Sequence, residues 1–215
     1  MTDRTIRSLG VAGVIGGLAT VLSNLPHAWY GVRSLDSYVF SPPVLSPLWF
    51  HRVIVPLVSV IAVVGILLGL LGLVRRDWPV AGRLRRWSGT SSAIGMGLLA
   101  LGVVGLQWIG SGTPSVSSLS AIAAVVLLAL GVLVLLPSML ALGIGYLRTE
   151  RPDLGYGLLG AIVAVPLFGF VAPAPADTLA AMLPVAALSG YVGVDLYRNP
   201  APIPARPAAA TADAS

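Results

Sequence analysis

The 215-residue chain is 56% hydrophobic and 10% charged, whereas soluble domains carry about 25% charged residues. With a mean hydropathy of +0.91, this composition excludes an ordinary soluble domain and indicates an integral membrane protein. The absence of cysteine excludes disulfides, thiolate metal sites and thiol catalysis. All 13 basic residues are arginines that lie at the boundaries of apolar segments. We therefore attribute the net charge of +5 to membrane topology and expect no nucleic-acid partner.

Six apolar segments are long enough to cross a hydrocarbon layer of ~30 Å as helices. They predict an all-α integral membrane protein, a six-transmembrane-helix bundle that forms a single domain over residues 1–199. The expected helices cover about 9–29, 53–74, 88–110, 119–147, 154–171 and 178–197. The first segment follows a basic start, as a signal peptide does, but it continues without a clear cleavage site, so we expect it to be retained.

The distribution of arginine predicts the orientation of the bundle. If both termini lie inside the cell, 11 of the 13 arginines fall on the inner side, and only Arg33 and Arg52 fall outside. Because arginine is retained on the cytoplasmic side of most membrane proteins, the sequence predicts an N-in, C-in protein of the plasma membrane.

The loop over residues 75–87 carries the strongest concentration of charge. Its five arginines are Arg75, Arg76, Arg83, Arg85 and Arg86. Such a loop anchors the topology, and it is also a candidate site for anionic lipid headgroups, since each arginine near the surface contributes on the order of 1 kcal/mol. Docking of an acidic protein partner is an alternative use of the same residues.

The longest connection, over residues 30–52, is predicted to be an ordered outer loop because it is rich in aromatic residues and proline. His27 and His51 flank it and are expected at the same membrane level. Two imidazoles can ligate a haem iron or, with Asp36, a metal ion. The alternative is that both are interfacial residues that hydrogen-bond headgroups or backbone.

Helices two, four and six end in similar segments, each running from a glycine through arginine to a proline. These segments are 72–79, 145–152 and 193–200. They suggest related hairpins, but any inward helix end needs a snorkelling arginine and a helix stop. Within the last segment we expect Asp195 to form an interfacial ion pair with Arg198. The Ala/Pro-rich tail 200–215 is predicted to be a disordered cytoplasmic segment.

Small residues suggest close helix packing. Gly13 and Gly17 form a GxxxG pair in helix one, and Gly65, Gly69 and Gly72 line one face of helix two. General glycine abundance explains the first pair equally well, since the chain holds 25 glycines.

The membrane segments contain almost no ionisable residues, which disfavours ion-coupled transport. No catalytic motif stands in a suitable context, so we predict no catalytic residue. The leading hypothesis is a non-enzymatic structural or partner-binding membrane component, whose partners are membrane lipids and another membrane protein or a second copy of this chain. One alternative is a small-solute permease or channel. The other is a haem- or metal-binding redox protein that uses His27 and His51. Only this second alternative requires a cofactor, and otherwise none is expected.

Overall fold

The computed structural model describes residues 2–30, 53–110, 119–173 and 176–205. Within these ranges the chain forms six α-helices, each long and apolar enough to cross a membrane. They are α1 Asp3–Tyr30, α2 Val55–Asp77, α3 Arg83–Gly110, α4 Leu119–Leu147, α5 Pro152–Val171 and α6 Asp177–Arg198. The predicted all-helical, multi-pass architecture is therefore confirmed, whereas its orientation in the membrane stays a prediction. The predicted outer loop, after its first residue Tyr30, lies outside the described residues.

The helices pack as a ring in chain order. Each helix contacts the next one along the chain, and α6 returns to contact α1 and, less extensively, α2. The N-terminus, the connections 78–82 and 148–151, and the segment 199–205 meet at one end, which we call the arginine-rich end. A buried apolar cluster joins these parts: its members include Ile6, Leu73, Leu142, Tyr146, Leu154, Leu196 and Ile203.

Glycines allow α1 to approach both of its neighbours closely. A Cβ atom on Gly16 would lie 2.5 Å from the backbone nitrogen of Ile66 in α2. A Cβ atom on Gly193 of α6 would lie 2.5 Å from the carbonyl oxygen of Gly10. Since real Cβ atoms do not approach backbone this closely, the two interfaces require glycine, and the small-residue seams in α1 and α2 are packing surfaces.

The α3–α4 interface combines glycine with a buried polar contact. A Cβ atom on Gly131 would lie 2.6 Å from the backbone nitrogen of Leu99. Nearby, the hydroxyl of Ser92 donates a hydrogen bond of 3.0 Å to the hydroxyl of Ser138. Ser92 is fully buried, so this hydrogen bond satisfies its hydroxyl across the helix pair.

Several boundaries differ from the sequence expectations. α1 begins at Asp3 and α3 at Arg83, several residues before the apolar segments that mark them. The reason is that a helix can continue beyond the hydrocarbon layer into the headgroup region, where arginine side chains are solvated. Hydropathy therefore does not mark the first turns of such a helix. At the start of the predicted tail, residues 199–205 lie against the bundle, with Ile203 only 6% exposed. Residues 206–215 lie outside the described residues, and the disordered tail stays a prediction.

Candidate functional site

The arginine-rich end contains a cluster of charged residues that we call the ionic cluster. Its members are Arg76, Asp77, Arg85, Arg151, Asp153 and Asp195. They come from the end of α2, the start of α3, the α4–α5 connection, the start of α5 and the end of α6. Three arginines and three aspartates balance in charge, so the cluster carries no net charge into the bundle.

Arg76 is the centre of the ionic cluster, and its side chain is fully buried. Its Nε atom donates to Oδ1 of Asp77 at 2.8 Å. Its Nη1 atom donates to Oδ2 of Asp195 at 2.6 Å and to the carbonyl oxygen of Asn199 at 3.3 Å. One guanidinium group therefore joins α2 to the end of α6, as its rigid fork of donors allows.

Asp77 receives hydrogen bonds from two further parts of the chain and an ion-pair contact from a third. The hydroxyl of Tyr146 in α4 donates to its Oδ2 atom at 2.5 Å, and the backbone N–H of Ile203 donates to its Oδ1 atom at 3.2 Å. Arg85 of α3 lies 3.8 Å from its Oδ2 atom, with the guanidinium 5.5 Å from the ring centre of Tyr146. Asp77 thus connects four segments through a buried, charge-assisted network.

Arg151 extends the ionic cluster towards the surface. Its Nη1 atom lies 2.8 Å from Oδ1 of Asp195, and its Nη2 atom lies 2.8 Å from Oδ2 of Asp153. The hydroxyl of Tyr191 also donates to Asp153. Hydrogen bonding to Asp153 raises the pKa of Arg151 above its ordinary value, although partial burial opposes this. Arg151 therefore stays charged and holds α5 to α6.

The three similar helix ends meet in this region, and each glycine has a packing role there. A Cβ atom on Gly145 would lie 2.7 Å from Cγ of Arg85, so this glycine makes room for the arginine side chain. A Cβ atom on Gly72 would lie 2.9 Å from Cδ1 of Leu196. The similarity of the three segments thus follows from a shared meeting point, without a requirement for repeated hairpins.

The predicted partner of Asp195 was wrong. Asp195 is at the arginine-rich end, as expected, but it pairs with Arg76 and Arg151, and the side chain of Arg198 is exposed. Sequence spacing detects pairs three or four residues apart on one helix. It gives no register between α2 and α6, so the contacts of Asp77 and Tyr146 with distant segments were also missed.

The structure divides the five loop arginines into two groups. Arg76 and Arg85 are buried at 2% and 7% exposure and are paired with carboxylates. Arg75, Arg83 and Arg86 are exposed. The first group is committed to holding the bundle together, and only the second is accessible to lipid headgroups or to a partner.

Two exposed tryptophans accompany the exposed arginines. Trp78 is 47% exposed and Trp87 is 66% exposed. Arg86 stacks on Trp78, with its guanidinium carbon 5.6 Å from the ring centre, and its Nε atom donates to the Trp78 carbonyl oxygen at 3.1 Å. We call this set of five residues the arginine–tryptophan patch: Arg75, Trp78, Arg83, Arg86 and Trp87.

The predicted histidine pair falls outside what the structure describes. His27 is in the last turns of α1, but its side chain and the whole of His51 lie beyond the described residues. Within the described part of the chain, no group of three histidine, cysteine, aspartate or glutamate residues could hold a metal ion. The haem or metal site therefore stays a prediction.

A cavity of about 260 Å³ lies between α5 and α6. It is lined by Gly157, Gly160, Ala161, Ala164, Pro184, Ala187, Leu188 and Tyr191. Because the lining is apolar apart from one hydroxyl, this cavity does not supply the polar surface that a solute pathway needs.

Comparison of the chain with known protein families, characterised proteins and solved structures finds no match.

Proposed function

We propose that this protein is a non-enzymatic component of the plasma membrane that acts by binding lipid and protein partners. In this proposal both termini and the arginine-rich end face the cytoplasm, where anionic headgroups attract arginine. The arginine–tryptophan patch binds those headgroups and fixes the depth and orientation of the bundle.

The observation that carries the proposal is the division of charge at the arginine-rich end. The ionic cluster uses its own arginines and aspartates to satisfy one another, so it supports the fold. Arg75, Arg83 and Arg86 are instead exposed. Tryptophan favours the headgroup level of a membrane, because its ring is apolar and its N–H is polar, so Trp78 and Trp87 support a lipid-facing role for the patch.

The spacing within the patch further supports lipid binding. Arg75 and Trp78 are three residues apart where α2 ends, and Arg83, Arg86 and Trp87 share one face at the start of α3. Three guanidinium groups can therefore contact phosphates while the two indole rings lie beside the acyl chains. A loss of about 1 kcal/mol per arginine corresponds to roughly a fivefold loss of affinity for each one removed.

Lipid selectivity tests the proposal directly. The full chain in detergent is titrated with phosphatidylglycerol or phosphatidylcholine that carries bromine on the acyl chains, and quenching of tryptophan fluorescence is measured. We expect a clear preference of the wild-type protein for phosphatidylglycerol. The triple variant Arg75→Gln, Arg83→Gln, Arg86→Gln should lose it, with binding weakened by about a hundredfold if the contributions add.

A matched triple variant controls for net charge. Arg4→Gln, Arg148→Gln, Arg198→Gln removes three exposed arginines from the same end of the bundle but leaves the patch intact. It should retain most of the lipid preference. Equal losses in the two triple variants would show that overall charge, and not the patch, attracts the lipid; an unselective wild-type protein would contradict the proposal.

A further inference from the structure

The helices α5 and α6 touch at both ends and are separated between them. At the arginine-rich end the hydroxyl of Tyr191 donates to Asp153. Towards the other end a Cβ atom on Gly169 would lie 3.1 Å from Cβ of Ala181. Between these contacts lies the cavity of about 260 Å³, which we call the α5–α6 groove. Because the helices are joined on either side of it, the groove belongs to the folded bundle and needs no ligand to form.

Small residues leave the α5–α6 groove unfilled. Its two walls carry Gly157, Gly160, Ala161, Ala164, Pro184 and Ala187. A Cβ atom on Gly160 would meet no atom of the described residues within 4 Å. Helical proteins otherwise pack closely, with few voids larger than a water molecule. An apolar lining offers water almost no hydrogen-bond partners, so an apolar ligand fits the groove better than water does.

The position of the α5–α6 groove matches one leaflet of a bilayer. Gly157 lies five residues and Ala164 twelve residues after Pro152, where α5 begins. At about 1.5 Å per residue, the groove therefore extends from roughly 8 to 18 Å beyond the start of α5. The nearer half of a hydrocarbon layer of ~30 Å covers most of this range when the arginine-rich end lies at the headgroups.

The end of the groove nearest the headgroups is polar. Tyr191 lines the groove, and Nη2 of Arg151 donates to its hydroxyl at 3.3 Å. The side chains of Arg151 and Asp153 are 32% and 43% exposed and form an ion pair. This end thus offers donors and acceptors to a headgroup without adding net charge. The groove has the polarity of a phospholipid: it is apolar along its length and polar where the headgroup would lie.

The size of the groove favours a lipid chain over a transmembrane helix as its occupant. One helical turn, 5.4 Å long and about 10 Å across, occupies roughly 400 Å³, which exceeds the whole groove of about 260 Å³. A chain of methylene groups is narrower and flexible. We propose that the α5–α6 groove binds one acyl chain of a glycerophospholipid from the leaflet at the arginine-rich end, with the headgroup beside Arg151 and Tyr191.

This site is separate from the arginine–tryptophan patch, which lies where α2 ends and α3 begins. The patch attracts anionic headgroups, whereas the groove holds an acyl chain and has no net charge at its polar end. Either proposal therefore stands if the other fails.

A photoreactive lipid tests the groove in the full chain. The protein in detergent is titrated with phosphatidylcholine that carries a diazirine on one acyl chain, irradiated, and digested for mass spectrometry. Phosphatidylcholine has no net charge, so the patch should not concentrate it. We expect labelling of peptides from both walls, around Gly160 and Ala187, to saturate with a single lipid per chain. Labelling of other apolar surfaces should rise with added lipid and not saturate in this range.

The substitution Gly160→Leu fills the groove from the α5 wall. We expect it to lower groove labelling at least about tenfold, because the leucine side chain displaces CH₂ groups of the lipid from a buried position. Gly97→Leu is the matched control in α3, since a Cβ atom there also meets no atom of the described residues within 4 Å. It should label as wild type does, and so should the triple variant of the patch.

Four results would overturn the proposal: no groove labelling in wild type, as when a partner helix covers it; labelling spread over all helices according to exposure; undiminished labelling of Gly160→Leu; or equal loss in either control. Circular dichroism and gel filtration establish that each variant is folded. If Gly160→Leu does not fold, Ala187→Leu fills the groove from the α6 wall and is measured in its place, with the same results counting for and against.

Discussion

At the scale of single residues, Asp195 is the most consequential member of the ionic cluster. Its Oδ2 atom accepts a hydrogen bond from Arg76, and its Oδ1 atom forms an ion pair with Arg151 at 2.8 Å. The Oδ1 atom also accepts from the side-chain amide of Asn199 at 3.0 Å. Asp195 is 4% exposed, so water cannot replace the lost charge of the carboxylate. Removing one charge of a buried ion pair leaves its partner charges buried and less well compensated. The resulting loss of stability is larger than the net stabilisation that the intact pair contributes.

The substitution Asp195→Asn keeps the shape of the side chain and removes its charge. We expect it to lower the free energy of unfolding by about 3 kcal/mol or more, as measured by denaturant titration in mixed micelles. Glu150→Gln is the matched control, because Glu150 is exposed at the same end, and it should change stability by less than about 0.5 kcal/mol. Equal, small effects of both substitutions would mean that the ionic cluster does not hold the bundle together.

The composition of this site was only partly predictable. Sequence reasoning found the arginines, because an uncharged apolar background makes them conspicuous, but it treated all five loop arginines alike. The division between buried Arg76 and exposed Arg75 depends on which face of α2 meets α6. The glycine contacts between helices determine which face of α2 is turned towards α6. A single sequence does not show which helices are neighbours.

At the scale of helices, the α1–α2 interface depends on backbone approach. We expect Gly16→Ala to destabilise the bundle by about 1–3 kcal/mol, as overpacking does, because the new methyl group would meet the backbone of Gly65 and Ile66. Gly97→Ala is the matched control in α3: a Cβ atom there has open space. It should be neutral or slightly stabilising, since alanine favours helix over glycine by about 1 kcal/mol.

Thermal unfolding of both variants in one detergent gives the comparison. An unfolding midpoint temperature for Gly16→Ala as high as that for Gly97→Ala would contradict the close contact between α1 and α2.

Helix positions were largely predictable, whereas the docking of residues 199–205 against the bundle was not. Long apolar runs located all of the described helices, because a membrane span must be both long and apolar. The runs could not show that α3 starts at Arg83, five residues before the expected start, or that α1 starts at Asp3. Residues 199–205 have the composition of a disordered segment, but Ile203 is buried in the apolar cluster at the arginine-rich end. Which residues form that cluster cannot be read from the spacing of residues along a single sequence.

At the scale of the whole molecule, the exterior of the bundle is apolar. Phe170 is 92% exposed, Val171 70% and Leu133 69%. A soluble protein rarely exposes apolar surface of this extent, whereas a bundle surrounded by lipid requires it. Charge is concentrated at the arginine-rich end, and this asymmetry is the basis of the predicted orientation.

Orientation is the claim on which the proposed lipid and partner contacts depend, and cysteine labelling measures it most directly because the chain has no cysteine of its own. Thr178 and Glu150 are both exposed, at opposite ends of the bundle. In intact cells, a membrane-impermeant thiol reagent should label Thr178→Cys, and it should label Glu150→Cys only after the membrane is permeabilised. Labelling of Glu150→Cys in intact cells, with Thr178→Cys protected, would contradict the account.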